Sequence, residues 1–68
     1  MIWIIIGEES HQIISCNMHA KDDLYELWVT RPNGKSLLVE TGAKDKIAEL
    51  KEAIDYAIEM GANTFKIK

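Results

Sequence analysis

Met1-Ile2-Trp3-Ile4-Ile5-Ile6 is the stretch that decides how this chain folds. Six apolar residues in a row fall far short of the ~20 that a membrane-spanning helix needs. The run is dominated by β-branched isoleucine and reads as a strand buried on both faces. Successive side chains of a strand point to opposite sides, so Ile2, Ile4 and Ile6 share one face and Trp3 and Ile5 the other. Only one later stretch has helical periodicity, and one helix covers one face of a sheet. What covers the second face is the functional question the sequence poses.

Outward from this strand, Gly7-Glu8-Glu9-Ser10-His11 reads as a polar turn opened by glycine. Residues 12–18 form a second strand, with Ile14, Cys16 and Met18 on one face and Ile13, Ser15 and Asn17 on the other. After a polar loop at 20–23, residues 24–30 alternate as a third strand, Tyr25, Leu27 and Val29 against Glu26, Trp28 and Thr30. Arg31-Pro32-Asn33-Gly34-Lys35 is the strongest local signal. Pro32 presets the first central position of a type I turn, Asn33 suits the second, and Gly34 can take the left-handed conformation of a G1 bulge. Closing Arg31 against Lys35 places Val29 opposite Leu37, Trp28 opposite Leu38 and Leu27 opposite Val39. Any one-residue slip would send these side chains to the wrong face.

The fourth strand ends at Thr41-Gly42, either of which suits a helix N-cap, with Asp45 in the first turn. A helix over 43–60 presents Ala43, Ile47, Leu50, Ile54, Ala57 and Ile58 as one apolar stripe, and Gly61 closes it. Residues 64–68 alternate as a last strand, with Phe65 and Ile67 inward. Pairing Ile6 with Gln12 and Met18 with Tyr25 gives two apolar rows toward the helix, Ile2-Cys16-Leu27-Val39 and Ile4-Ile14-Val29-Leu37. The expected fold is therefore α+β, β-β-β-β-α-β: a five-stranded, mostly antiparallel sheet of order 5-1-2-3-4 with one helix on one face. The last strand is expected antiparallel to the first; the alternative sets it parallel to the fourth.

A chain of 68 residues is one domain. Such a domain buries only roughly 60% of its unfolded surface and often relies on disulfides, metal or association. Cys16 is the single cysteine, so no intrachain disulfide forms, and no Cys/His spacing suggests zinc. The net charge of −3 and pI of about 5.2 argue against a binder driven by the nucleic-acid backbone. No Lys or Arg precedes the apolar run, which therefore makes a poor signal peptide, and a reducing cytoplasmic setting is expected.

The face away from the helix is expected to carry the row Trp3-Ser15-Trp28-Leu38, flanked by Ile5 and Ile13. The two indoles would lie ~10 Å apart, two strand spacings. Trp3, Ile5, Ile13, Trp28 and Leu38 are thus the expected partner-binding residues, because tryptophan is enriched at the energetic centres of interfaces. A small ligand between Trp3 and Trp28 is a further possibility. Tyr56 and Met60, one turn apart on the outer side of the helix, form a weaker second surface. Alternatively, loops or termini fold over the sheet face.

Sites for chemistry are sparse. His11 and His19 stand at opposite ends of one expected strand, ~25 Å apart by strand rise. Cys16 suits a small core position. Ser10, His11 and Asp22 or Asp23 hold the residue types of a hydrolytic triad without a nucleophile elbow. The isolated glycines form no phosphate loop. No catalytic, metal or cofactor site is assigned. The expectation is a small non-enzymatic, regulatory binding protein that forms a homodimer or caps a protein partner through the tryptophan face. Two other readings remain. Bases of single-stranded nucleic acid could stack on that face, with Arg31, Lys35, Lys66 and Lys68 at its rim. Or the acidic outer helix face (Glu49, Glu52, Asp55, Glu59) could mimic nucleic acid and inhibit a DNA-binding enzyme, although Lys44, Lys46 and Lys51 interrupt it.

Overall fold

The computed structural model describes residues 1–67, so the part of the last expected strand at Lys68 lies outside the described residues. The elements are β1 (Ile2–Ile6), β2 (Glu9–Ile13), β3 (Ser15–Lys21), β4 (Leu24–Thr30), β5 (Ser36–Gly42), α1 (Lys44–Glu59) and β6 (Thr64–Lys66). The fold is α+β with one helix, as the periodicity requires. The single five-stranded sheet is corrected: the strands form two three-stranded sheets, β2-β1-β6 and β3-β4-β5. The order within each half is the expected one, and the break falls inside the expected second strand.

That strand bends at Ile14, between β2 and β3. The bend changes the phase of burial. In β2 the buried residue is Ile13, whereas in β3 it is Cys16, three positions on. An unbroken strand would bury residues an even number apart. Ile14 itself is 47% exposed and Ile13 0%, the reverse of the expected assignment. The first turn explains the reversal. Gly7 takes φ +62 and makes a two-residue connection with Glu8, so that Ile6 faces Glu9 and Ile2 faces Ile13. The expected pairing of Ile6 with Gln12 was three residues away. An odd shift flips every side chain to the other face. Glu9-Ser10-His11-Gln12 joins a strand despite its polarity because β2 is an edge strand with one side open to water.

The other hairpins follow the sequence more closely. Asp22 (φ +56) and Asp23 form the turn between β3 and β4, so Met18 pairs with Leu27 instead of Tyr25. That shift of two residues leaves the faces unchanged. In the turn at 31–35, Arg31 N–H donates to the Lys35 carbonyl at 2.8 Å, Gly34 N–H donates to the Arg31 carbonyl at 2.9 Å, and Gly34 sits at φ +86. Val29 faces Leu37 and Trp28 faces Leu38, as expected. A bulge after Trp28–Leu38 then brings Glu40, not Val39, opposite Leu27.

Ala43, not Thr41 or Gly42, is the N-cap of α1; its carbonyl accepts from Ile47 N–H at 3.0 Å. β5 runs on through Gly42, which pairs with Tyr25, and so the two better capping residues are used by the sheet. At the other end, Gly61 N–H donates to the Ile58 carbonyl and Ala62 N–H to the Ala57 carbonyl, a Schellman closure. The chain then enters β6, which lies parallel to β1 with Ile4 facing Phe65. The expected antiparallel direction is corrected, because alternation of strand directions does not carry across the bend at Ile14.

Ile47 and Ile54 of α1 close over Ile2, Ile4, Ile13, Cys16, Leu27 and Val29 in one core. Leu50, Ala57, Ile58, Phe65 and Ile67 pack around it half-buried. Truncating a wholly buried isoleucine costs about 2–5 kcal/mol. Ile13→Ala is therefore expected to lose that much in chemical denaturation, and Ile14→Ala under about 1 kcal/mol, since a surface change seldom costs more. Equal losses would contradict the bend. Gly34→Val is expected to cost about 1 kcal/mol or more in the same measurement, because a β-branched side chain resists positive φ even in the open space found there.

Candidate functional site

The helix occupies the inner side of both sheets, and each sheet keeps an outer face. On the first sheet Trp3 lies between Gln12 and Thr64, and Ile5 between Ser10 and Lys66. On the second, Trp28 lies between Asn17 and Leu38. Trp3 is 45% exposed and Leu38 42%, while Ile5 and Trp28 are half-buried. The expected row Trp3-Ser15-Trp28 is not formed: Ser15 faces Thr30, and the indoles belong to different sheets. Ile13 leaves the expected surface for the core. A ligand bridging Trp3 and Trp28 as neighbours in one row has no geometric basis.

The two tryptophans have different surroundings. Trp28 Nε1–H donates to Glu26 Oε1 at 3.1 Å, fixing the ring along its own sheet face. Lys21 Nζ lies 3.8 Å from the other oxygen of that carboxylate. Along this face Trp28 and Leu38 are flanked on one side by Thr30, Ser15 and Ser36 and on the other by Glu26, His19 and Thr41, with Asn17 opposite Trp28. Trp3 instead borders a cavity of about 280 Å³ between the edge strand β2 and the turn after β4, shared with His11, Gln12, Arg31 and Asn33. Sequence reasoning missed this juxtaposition. The polarity of 9–12 and the rigid 31–35 turn were both visible, but nothing in the sequence places them side by side.

His11 Nε2–H donates to Glu9 Oε1 at 2.9 Å, so the histidine is engaged by its strand neighbour and not by Ser10 or an aspartate. Cys16 is tied to the helix: its thiol donates to Asp55 Oδ1 at 3.1 Å, and Lys51 Nζ donates to Asp55 Oδ2 at 2.6 Å. A Cys-Asp-Lys set resembles nucleophilic machinery in its residue types, but its electrostatics act the other way. Burial foremost, then the hydrogen bond to Asp55 and its negative charge, push the Cys16 thiol up to about 12, against a smaller opposing effect of Lys51. The sulfur is therefore a neutral donor at neutral pH and a weak nucleophile. Partial burial alone would raise the Asp55 carboxyl; the hydrogen bonds from Lys51 and Cys16 and the Lys51 charge outweigh it and hold the carboxyl low. The hydrogen bond to Asp55 raises Lys51 in spite of its desolvation.

On the outer helix, Tyr56 and Met60 are 64% and 65% exposed. Glu49 and Glu52 stand beside Tyr56 along one shallow groove. Lys51 pairs with Asp55 across one turn, which divides the acidic stripe. Among the described residues no helix is long and apolar enough to cross a membrane. Comparison of the chain with family models, curated proteins and solved structures gives no match.

The thiol network has a pH signature. The unfolded Cys16 thiol ionises near 9.0 and the folded one near 12. Its stabilisation is thus complete below pH 9 and disappears as the pH rises toward 12. Lys51, raised above 10.5, adds to the same alkaline loss. Asp55, held below 3.8, contributes above its unfolded value and loses that contribution as the pH falls through its folded value. The denaturation midpoint is expected to be level from about pH 5 to 9 and to fall on both sides. Asp55→Ala should lower stability by about 1 kcal/mol at neutral pH. Native protein should resist iodoacetamide at Cys16 until it unfolds; rapid native alkylation would contradict this assignment.

Proposed function

We propose that the protein is a small non-enzymatic binding protein that self-associates through the outer face of its second sheet, with Trp28 and Leu38 as anchors. The observation that carries this reading is the Trp28–Leu38 pair itself. It is a cross-strand apolar pair on the face opposite α1, with the indole held in place through Glu26. A ring already fixed in one orientation loses less entropy on binding. The flanking Asn17, Ser15, Thr30 and Ser36 are small enough to admit a second indole. Charge does not oppose the contact locally, because Glu26 has Lys21 beside it. Two copies related by a twofold axis would set each Trp28 against the other's Leu38, the isologous arrangement most oligomers use.

Burying such a face also answers the size problem. One helix and one small core leave a 68-residue chain marginal, and association is a usual supplement. A heterologous partner with an apolar patch would use the same anchors. The nucleic-acid reading fits less well: the Trp28 edge carries a carboxylate, the indoles do not form one stacking row, and the chain is net negative at −3.

Mass in solution by light scattering tests the proposal, with Trp28→Glu as the variant. The parent is expected to be a dimer at micromolar concentration. The variant should dissociate about thirtyfold or more easily, the loss of one hot-spot residue, with unchanged far-UV circular dichroism. Association should survive added salt, whereas phosphate-driven binding would fall steeply. A monomeric parent, or a Trp28→Glu protein that keeps the parent mass, would overturn the proposal.

A further inference from the structure

The cavity beside Trp3 belongs to neither the core nor the proposed interface. It lies between the edge of β2 and the turn after β4, and its volume is about 280 Å³. Pockets for drug-sized ligands run from about 300 to 1,000 Å³, so this one suits a single ring system with one substituent. Its walls are chemically distinct. Trp3, 45% exposed, offers an aromatic face from the central strand of its sheet. Arg31, half-buried, also lines it and brings a guanidinium. Gln12 and Asn33 add amide groups.

Arg31 carries the inference. The chain has 11 acidic residues and 8 Lys and Arg. Lys21 and Lys51 each have a carboxylate within 4 Å. Among the described residues no side chain accepts from the Arg31 guanidinium. Nor is its support flexible. Its backbone N–H is held by Lys35, its carbonyl by Gly34, and Asn33 Oδ1 accepts from Lys35 N–H at 2.9 Å, with Pro32 between them. A planar fork of donors on a rigid turn is the arrangement that recognises carboxylate or phosphate. Glu9, on the same strand as Gln12, accepts a hydrogen bond from His11.

We infer that this cavity is a binding site for a small planar anion, a ring bearing a carboxylate or phosphate. The ring stacks on Trp3, the acid group is held by Arg31, and Gln12 and Asn33 read polar edges. Aromatic acids and nucleoside monophosphates share this chemistry. The site does not depend on self-association, because its residues lie outside the Trp28–Leu38 face.

Titration of nitrogen-15-labelled protein with benzoate, benzyl alcohol, adenosine monophosphate, adenosine and inorganic phosphate tests the inference. At least one of benzoate and adenosine monophosphate should give saturable shifts centred on the Trp3 indole N–H, Gln12 and Arg31 at millimolar concentration or below. Which one binds more tightly identifies the source of the anion. The matching neutral compound should bind about tenfold more weakly, the worth of one charge-assisted hydrogen bond, and phosphate alone should be as weak. Arg31→Gln, checked by circular dichroism, should lose the same tenfold. Trp28→Glu should bind like the parent. Absence of saturation, shifts centred elsewhere, or equal binding of the neutral and anionic members of each pair would overturn the inference; the last comparison needs no variant.

Discussion

One helix has to cover the apolar faces of two sheets, and the bend at Ile14 is what allows it. In β2 the buried residue is odd-numbered, Ile13, and in β3 it is even-numbered, Cys16. Without that change of phase, Ile13 or Cys16 would point into water. With it, both point at Ile47 and Ile54, and the sheets divide at this point. A strand that passes from one sheet to another at a bend is a recognised way to enclose a core between short strands. The cost is one exposed isoleucine, Ile14, whose backbone N–H is still satisfied by the Thr30 carbonyl at 2.9 Å.

The same bend distributes chemistry over the surface. It removes Trp3 from the sheet that carries Trp28 and sets it near the turn that presents Arg31. One indole then borders Gln12, Arg31 and Asn33, and the other lies between Asn17 and Leu38 with Glu26 on its ring N–H.

At the junction of helix and sheet, Cys16 supplies a polar tie. A thiol donating to a carboxylate that also holds a lysine satisfies every member of the set, with little charge buried. It ties the middle of the helix to the edge strand β3. Burial and the Asp55 carboxylate suppress thiolate formation, so the group that resembles a nucleophile by residue type acts as a hydrogen-bond donor.

Local energies were legible from the sequence. The helix and the Pro32-Asn33-Gly34 turn with its Trp28–Leu38 and Val29–Leu37 pairs followed from preset backbone angles and periodicity. The bulge opposite Leu27, the cap at Ala43 and the parallel entry of β6 did not, because each depends on what another segment has already taken. The cavity at Trp3 and Arg31 joins residues 28 positions apart, and no local preference encodes that distance. Ile13 and Ile14 show the division most simply. Their side chains are identical, so hydrophobicity and strand propensity assign them the same energy. Only the two-residue turn at Gly7 and the position of the helix decide that one is in the core and the other in water.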